Sequence, residues 1–110
     1  MLSASDLIEI NKKFDSGIVV NRGSLDFAIK TVASMKDWTT QAAYLVRVVV
    51  LDRIFEEGNK RTALAVLLAY FEANKKAYDL YSLEKVIINI INKNITSIEN
   101  IRRMIKNAIR

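Results

Sequence analysis

Two stretches of this chain are apolar on nearly every side, and ten mostly polar residues separate them. "VVVL" (Val48–Leu51) closes one helical pattern, "TALAVLLAYF" (Thr62–Phe71) forms the next, and "DRIFEEGNKR" (52–61) joins them. Helices that are hydrophobic all round are packed by neighbours on most faces, so these two belong at the centre of the molecule. The connection between them then emerges at one end of the core and gathers its charges there.

The remaining segments supply the neighbours. The spacing of Leu7, Ile10 and Phe14 predicts a first helix over about Ser3 to Phe14, with Ser3 and Asp6 capping its first turn. Ser24 is the expected cap of a second helix, which buries Leu25, Ala28, Ile29, Val32 and Met35. The third runs from about Trp38 to Phe55 and leads into the polar connection. Two outer helices follow, about Ser82 to Lys93 and about Ser97 to Ile109, the last with Thr96 and Glu99 as a capping box. Proline is absent, which suits uninterrupted helices. The expectation is an all-α, single-domain bundle of about six helices over residues 1–110.

One segment breaks the helical pattern. "DSGIVVNRGS" (15–24) holds two of the three glycines and the β-branched run Ile18, Val19 and Val20, ahead of an Asn-Arg-Gly turn. It reads as an extended flap or tiny hairpin, or as an ordinary loop.

Composition narrows the chemistry. With no cysteine and no histidine among 110 residues, disulfides, thiolate metal sites and an imidazole base are excluded, which leaves carboxylates, lysine, arginine and hydroxyls. The N-terminus has no basic lead and long apolar run, and the apolar stretches fall short of the roughly 20 residues of a membrane span. A cytoplasmic protein without a membrane role is expected. The net charge of +5 comes largely from the last 18 residues, a mildly basic helix that reads as a solvated face or as a hint of an acidic partner.

The loop between the central helices is electrostatically unusual. Lys60 and Arg61 fall in the first turn of a helix whose N-terminus is already positive, a placement that costs about 0.3–1 kcal/mol per cation. An anion would offset the cost, held by the free N–H groups of the helix start beside Gly58 and by donors from Asn59, Lys60 and Arg61. The alternative is that Glu56 and Glu57 neutralise the cations and Gly58 is only a turn residue.

The run Phe55 to Ala63, "FEEGNKRTA", followed by "FEAN" (71–74), resembles the core motif of the Fic/Doc (Fido) family, H-x-F-x-[D/E/N]-[G/A]-N-[G/K]-R. The lysine after the asparagine is similar to the Doc, or death-on-curing, branch, and "NRGSLDFAI" resembles the segment from flap to helix in those proteins. The resemblance covers most of residues 17–75. It implies that Phe55 anchors the loop in the core, that Glu57 holds a magnesium ion bridging ATP phosphates, and that Gly58, Asn59, Lys60 and Arg61 form an anion hole. It further implies that the flap, Ile18, Val19, Val20 and Arg22, lays a target peptide beside the site by strand addition. Leu64 stands where the Fic branch carries a second arginine, which accords with phosphate transfer rather than AMP transfer.

Arg53 departs from the motif at its catalytic position. Family members use a histidine there to take the proton of the attacking hydroxyl, and a guanidinium stays protonated at neutral pH. General-base assistance is typically worth about 10²–10⁴-fold, while positioning and charge neutralisation carry most of phosphoryl transfer. The resemblance therefore implies that nucleotide binding survives and turnover is impaired. Asp52 is rotated about 100° from Arg53 on a helix, and a solvated Glu56 is a poor base at neutral pH. Arg53 itself is either one more phosphate ligand or an ion-pair partner of Glu57 or Asp52.

Three functions follow. The first is a Doc-like toxin of a toxin–antitoxin pair, or its relic, for which the resemblance implies ATP and magnesium as cofactors, a small antitoxin and a target such as a translation elongation factor. The second is a noncatalytic interaction module on the same fold. Nucleic-acid binding ranks last, because the basic residues are spread along the chain without a recognition-helix signature. Ser5 to Glu9 has the spacing of the inhibitory helix of some Fic relatives, but Ile10 breaks its ending.

Overall fold

Six helices follow one another in the computed structural model, which describes residues 2–110: α1 (Ala4–Lys12), α2 (Arg22–Val32), α3 (Trp38–Leu51), α4 (Asn59–Ala73), α5 (Leu80–Lys93) and α6 (Ile98–Asn107). They form one all-α domain in which α3 and α4 pack closely at the centre. Around this pair, α3 also carries α2, α5 and α6, and α4 carries α1 and α5. On α3, Ala42, Ala43, Leu45, Val46, Val48, Val49 and Val50 are all buried, so this helix meets neighbours almost all round. Among the described residues, no helix is long and apolar enough to cross a membrane.

Local sequence explains most of the boundaries. Ser3 accepts the Asp6 N–H while the Asp6 carboxylate accepts the Ser3 N–H, a reciprocal cap that starts α1. Asp37 and Asp79 do the same one-sided work for α3 and α5 by accepting from Thr40 and Ser82. Asn94, in the left-handed region at φ 49°, stops α5.

Several boundaries differ from those the spacing predicts. α1 ends at Lys12, so Phe14 lies beyond it and is exposed rather than buried. α2 starts three residues early because Asn21, not Ser24, is the cap, its side chain accepting from the Ser24 N–H. α3 stops at Leu51 instead of Phe55, since Asp52 closes it and Arg53 turns left-handed at φ 47°. α5 begins at Leu80 under the Asp79 cap, two residues before Ser82. The start of α6 is capped by Ser97, which accepts from Asn100, and the Thr96–Glu99 box does not form.

Part of the basic C-terminal segment is paired within the fold. Arg102 pairs with Asp37 at 3.0 Å and Glu99 at 3.2 Å, and Arg110 lies 3.7 Å from Asp79. These contacts tie α6 to the start of α3 and the chain end to the start of α5.

Candidate functional site

The connection between α3 and α4 is built as a closed loop around Phe55. Its side chain is buried in the core, an anchor of about 1.5–3 kcal/mol relative to exposure. Its backbone is held by one side chain: the Phe55 N–H donates to Asn59 Oδ1 at 3.0 Å, and Asn59 Nδ2 donates to the Phe55 carbonyl at 2.8 Å. The amide of Asn59 thus copies a backbone pairing partner. Because it is buried and turned inward, Asn59 offers an anion its backbone N–H rather than its side chain.

Gly58 then starts α4. It adopts φ 77°, a left-handed conformation that strains any residue with a Cβ, and a Cβ there would lie 3.1 Å from Asn11 Nδ2 and 3.4 Å from Asp15 Cβ. No side chain caps this helix. The N–H groups of Asn59, Lys60 and Arg61 have no partner among the described residues, the first bond of the turn being Thr62 N–H to the Gly58 carbonyl. They are the positive end of a 15-residue helix left open.

An open cleft of about 490 Å³ lies over this helix start, and Arg53, Glu57, Gly58, Asn59, Lys60 and Arg61 all line it. The residues singled out in the sequence between positions 53 and 61 are therefore brought together, apart from the buried anchor Phe55 and from Glu56, which lies outside the lining. The neutralisation expected from the two glutamates is absent: no ion pair joins Glu56 or Glu57 to Lys60 or Arg61, and Arg53 pairs with neither Glu57 nor Asp52. Asp52 faces a different cleft, lined by Arg47, Leu51, Asn94 and Thr96. The site is thus three exposed cations and three open N–H groups around one concavity.

The flap forms no hairpin of its own. Ile18 to Val20 run antiparallel to Ile54 to Glu56, with Val20 N–H donating to the Ile54 carbonyl at 2.8 Å and Glu56 N–H to the Ile18 carbonyl at 3.0 Å. In this pairing the N–H and C=O of Val19 point to the opposite edge, where they have no partner among the described residues. Ile18 and Val20 are exposed on either side. Arg22, the fourth residue assigned to the flap, opens α2 and pairs with Asp26 at 3.1 Å, so it belongs to the helix and not to the edge.

Two further residues hold or line the site and went unremarked in the sequence. Asn11 is buried on α1, donates to the Glu57 carbonyl and to Thr62 Oγ1, both at 3.0 Å, and accepts the Gly17 N–H at 2.9 Å. It clamps α1, the flap and the loop together. Its only signal in the sequence is a polar residue four positions after Leu7 on the apolar face. Asp15, beyond the end of α1, lines the cleft close to Gly58, and Phe14 beside it forms part of the wall.

The carboxylates suit a metal that arrives with its ligand. Among the described residues, no group of three or more acidic, histidine or cysteine side chains is placed to hold a metal ion unaided. Glu57 and Asp15 are the two carboxylates of the cleft, and magnesium is commonly held by one or two carboxylates together with substrate phosphates. No protein-family model and no curated protein matches this chain.

Proposed function

We propose that the cleft at the start of α4 binds the phosphates of a nucleotide, ATP with magnesium, and that the protein is a Doc-like member of the Fic/Doc family. The observation that carries this reading is the convergence of Arg53, Lys60 and Arg61, none of them ion-paired among the described residues, with the open N–H groups of α4. Such cations are unfavourable beside a helix N-terminus until an anion arrives, and then each donor adds a charge-assisted hydrogen bond. The resemblance of "FEEGNKRTA" to the family motif, on a loop between the two central helices of an all-α domain, supports the same reading.

In this role Lys60, Arg61 and the N–H groups of Asn59 to Arg61 hold the phosphates, and Arg53 adds a further cation. Glu57 would take the magnesium that the phosphates carry, an ion that would neutralise charge during phosphoryl transfer. Leu64, in place of a second arginine, favours transfer of phosphate over AMP to a protein hydroxyl. A toxin of a toxin–antitoxin pair, or its relic, is the biological role this assigns, with a translation elongation factor as the class of target. The test is thermal: millimolar ATP with magnesium should raise the melting temperature, ligand at 100 times its Kd contributing about 2.7 kcal/mol. A protein whose melting is indifferent to ATP, magnesium and tripolyphosphate together does not have this function.

A second reading is an interaction module without catalysis, favoured by one observation. Val19 presents an unpaired N–H and C=O between two exposed aliphatic side chains, the arrangement that adds a peptide strand. Capture of a protein partner that is unaffected by changing Lys60 and Arg61 to alanine, but lost with Ile18→Asp, would support it.

A further inference from the structure

We infer that the trench between α4 and α5 is a docking face for a second copy of this chain, in which Glu84 of each copy pairs with Lys60 and Arg61 of the other. A cleft of about 320 Å³ lies between these two helices, lined by Lys60, Arg61 and Leu64 from α4 and by Glu84, Ile87 and Ile88 from α5. It adjoins the cleft over the start of α4, since Lys60 and Arg61 line both. Ile88 is 42% exposed, and Leu80 and Tyr81 on the same helix are 47% and 65% exposed. At 3.6 residues per turn, Leu80, Tyr81, Glu84, Ile88 and Ile91 fall within one arc of about 100° on α5. The exposed side chains therefore form one stripe, which marks an interaction surface better than apolar residues scattered singly.

The charges of the trench are separated along it and unmatched. Lys60 and Arg61 stand at the end where Ile91 meets the start of α4, and Glu84 stands about 10 Å further along α5. Among the described residues, none of the three has an ion-pair partner, although all line one cleft. The order along the trench is thus cationic end, aliphatic middle, anionic end. A two-fold axis through the middle exchanges the ends, so that a second copy sets its Glu84 against Lys60 and Arg61 and receives the same pairing in return. Leu64 and Ile88 of both copies then meet at the centre. This is the self-complementarity that an isologous interface requires. An acidic partner that answered only the cations would leave Glu84 facing like charge, whereas a second copy answers both ends at once.

Size and net charge set the strength. This handful of side chains falls short of the roughly 20–30 residues a side of a standard interface, so the association is weak and dilute protein is monomeric. Repulsion between two copies of charge +5 is screened beyond about 8 Å at physiological salt, which leaves the contacts in the trench to decide. The pairing also bears on the anion site, and this coupling rests on the phosphate-binding reading above. An anion over the start of α4 engages the same Lys60 and Arg61 that the second copy's Glu84 takes, so polyphosphate and the second copy compete.

The experiment is sedimentation velocity over a concentration series reaching the millimolar range, with circular dichroism melts to check folding. It compares the unaltered chain, Glu84→Lys, the double variant Lys60→Glu with Arg61→Glu, an equimolar mixture of those two variants, and Ile88→Asp. In either charge variant alone like charges meet at both ends, and in the mixture both contacts are again between opposite charges. Expected are a reversible monomer–dimer equilibrium for the unaltered chain, a dimer dissociation constant raised about 10-fold or more in each variant alone, and its recovery in the mixture. Tripolyphosphate should shift the unaltered chain toward monomer. An unaltered chain that stays monomeric throughout, variants that dimerise as it does, or a mixture of folded charge variants that stays monomeric each overturns the inference. A dimer that obeys the charge swap but ignores tripolyphosphate overturns the coupling alone. Absence of any melting shift with tripolyphosphate in dilute protein overturns the phosphate reading and leaves the charge-swap result standing.

Discussion

The side-chain amide of Asn11 donates to the Glu57 carbonyl across 3.0 Å, joining residues 46 positions apart. The same amide also holds Thr62 and receives Gly17, so the first helix, the flap and the cleft form one mechanical unit.

Replacing Asn11 by leucine should therefore be costly. The Glu57 carbonyl, the Thr62 hydroxyl and the Gly17 N–H would lose their partner, and each group left unsatisfied in a buried setting costs about 1–3 kcal/mol. Partial access to water lowers the sum, and a destabilisation of about 3 kcal/mol is expected by urea denaturation. A loss below about 0.5 kcal/mol, the range of an ordinary surface change, would mean that the clamp does not hold the fold.

Asn59 makes a narrower prediction because its two hydrogen bonds have opposite polarity. Asn59→Asp keeps an acceptor for the Phe55 N–H but sets a carboxylate oxygen against the Phe55 carbonyl, whereas Asn59→Ala removes both. Asn59→Ala should lose about 2 kcal/mol. Asn59→Asp should be no better near neutral pH and should regain stability when acid protonates the new carboxyl. Denaturant midpoints of the two variants at pH 7 and pH 4 make the comparison.

Lys60 and Arg61 sit at the open start of α4 without ion-pair partners among the described residues, so the ligand-free protein bears their cost. Changing both to alanine should leave the unliganded protein more stable by about 0.3–1 kcal/mol per charge removed. The same change should abolish the rise in melting temperature with tripolyphosphate. A double variant that is less stable and still responds to the anion would contradict both halves of the argument.

Arg53 combines strain with function. At φ 47° it occupies the position past a helix end where glycine is usual, and the left-handed conformation costs a residue with a Cβ about 1–2 kcal/mol. Arg53→Gly should raise the melting temperature by about 4 °C or more and weaken tripolyphosphate binding. Arg53→Gly with an unchanged or lowered melting temperature would show that the arginine side chain repays its strain through contacts of its own.

Acid should loosen the junction between α3 and α6. The hydrogen bond from Thr39, joined by those from Arg102 and Thr40, holds the Asp37 carboxyl well below the usual carboxylate range, against the opposing pull of desolvation. A carboxyl depressed in the folded state stabilises fully above its unfolded pKa of about 3.9 and loses that contribution as the pH falls further. The stability of the unaltered protein should decline below about pH 4, and Asp37→Asn should flatten the decline. Equal slopes for the two proteins between pH 5 and pH 2 would assign the acid sensitivity elsewhere, for instance to Asp6, whose carboxyl is lowered by its bonds with Ser3.

The sequence by itself determined the all-α architecture, the two central helices and the meeting of the loop charges at one end of the core. Those features follow from apolar periodicity and from a connection too polar to bury, and both are local properties of the chain. It also showed that Arg53 is no proton acceptor, since that rests on the chemistry of the guanidinium alone. Tertiary structure decided the rest. Whether Asn59 turns outward to a ligand or inward to Phe55, and whether Glu56 and Glu57 reach the cations, turn on the loop's backbone path, which no periodicity encodes; whether Asn11 and Asp15 arrive at the cleft at all depends on contacts across some 40 or more residues of chain. Helix ends moved for the same reason: Ser24 and Thr96 are chemically as able to cap as Asn21 and Ser97, and the packing of the flap and of α6 selected between them.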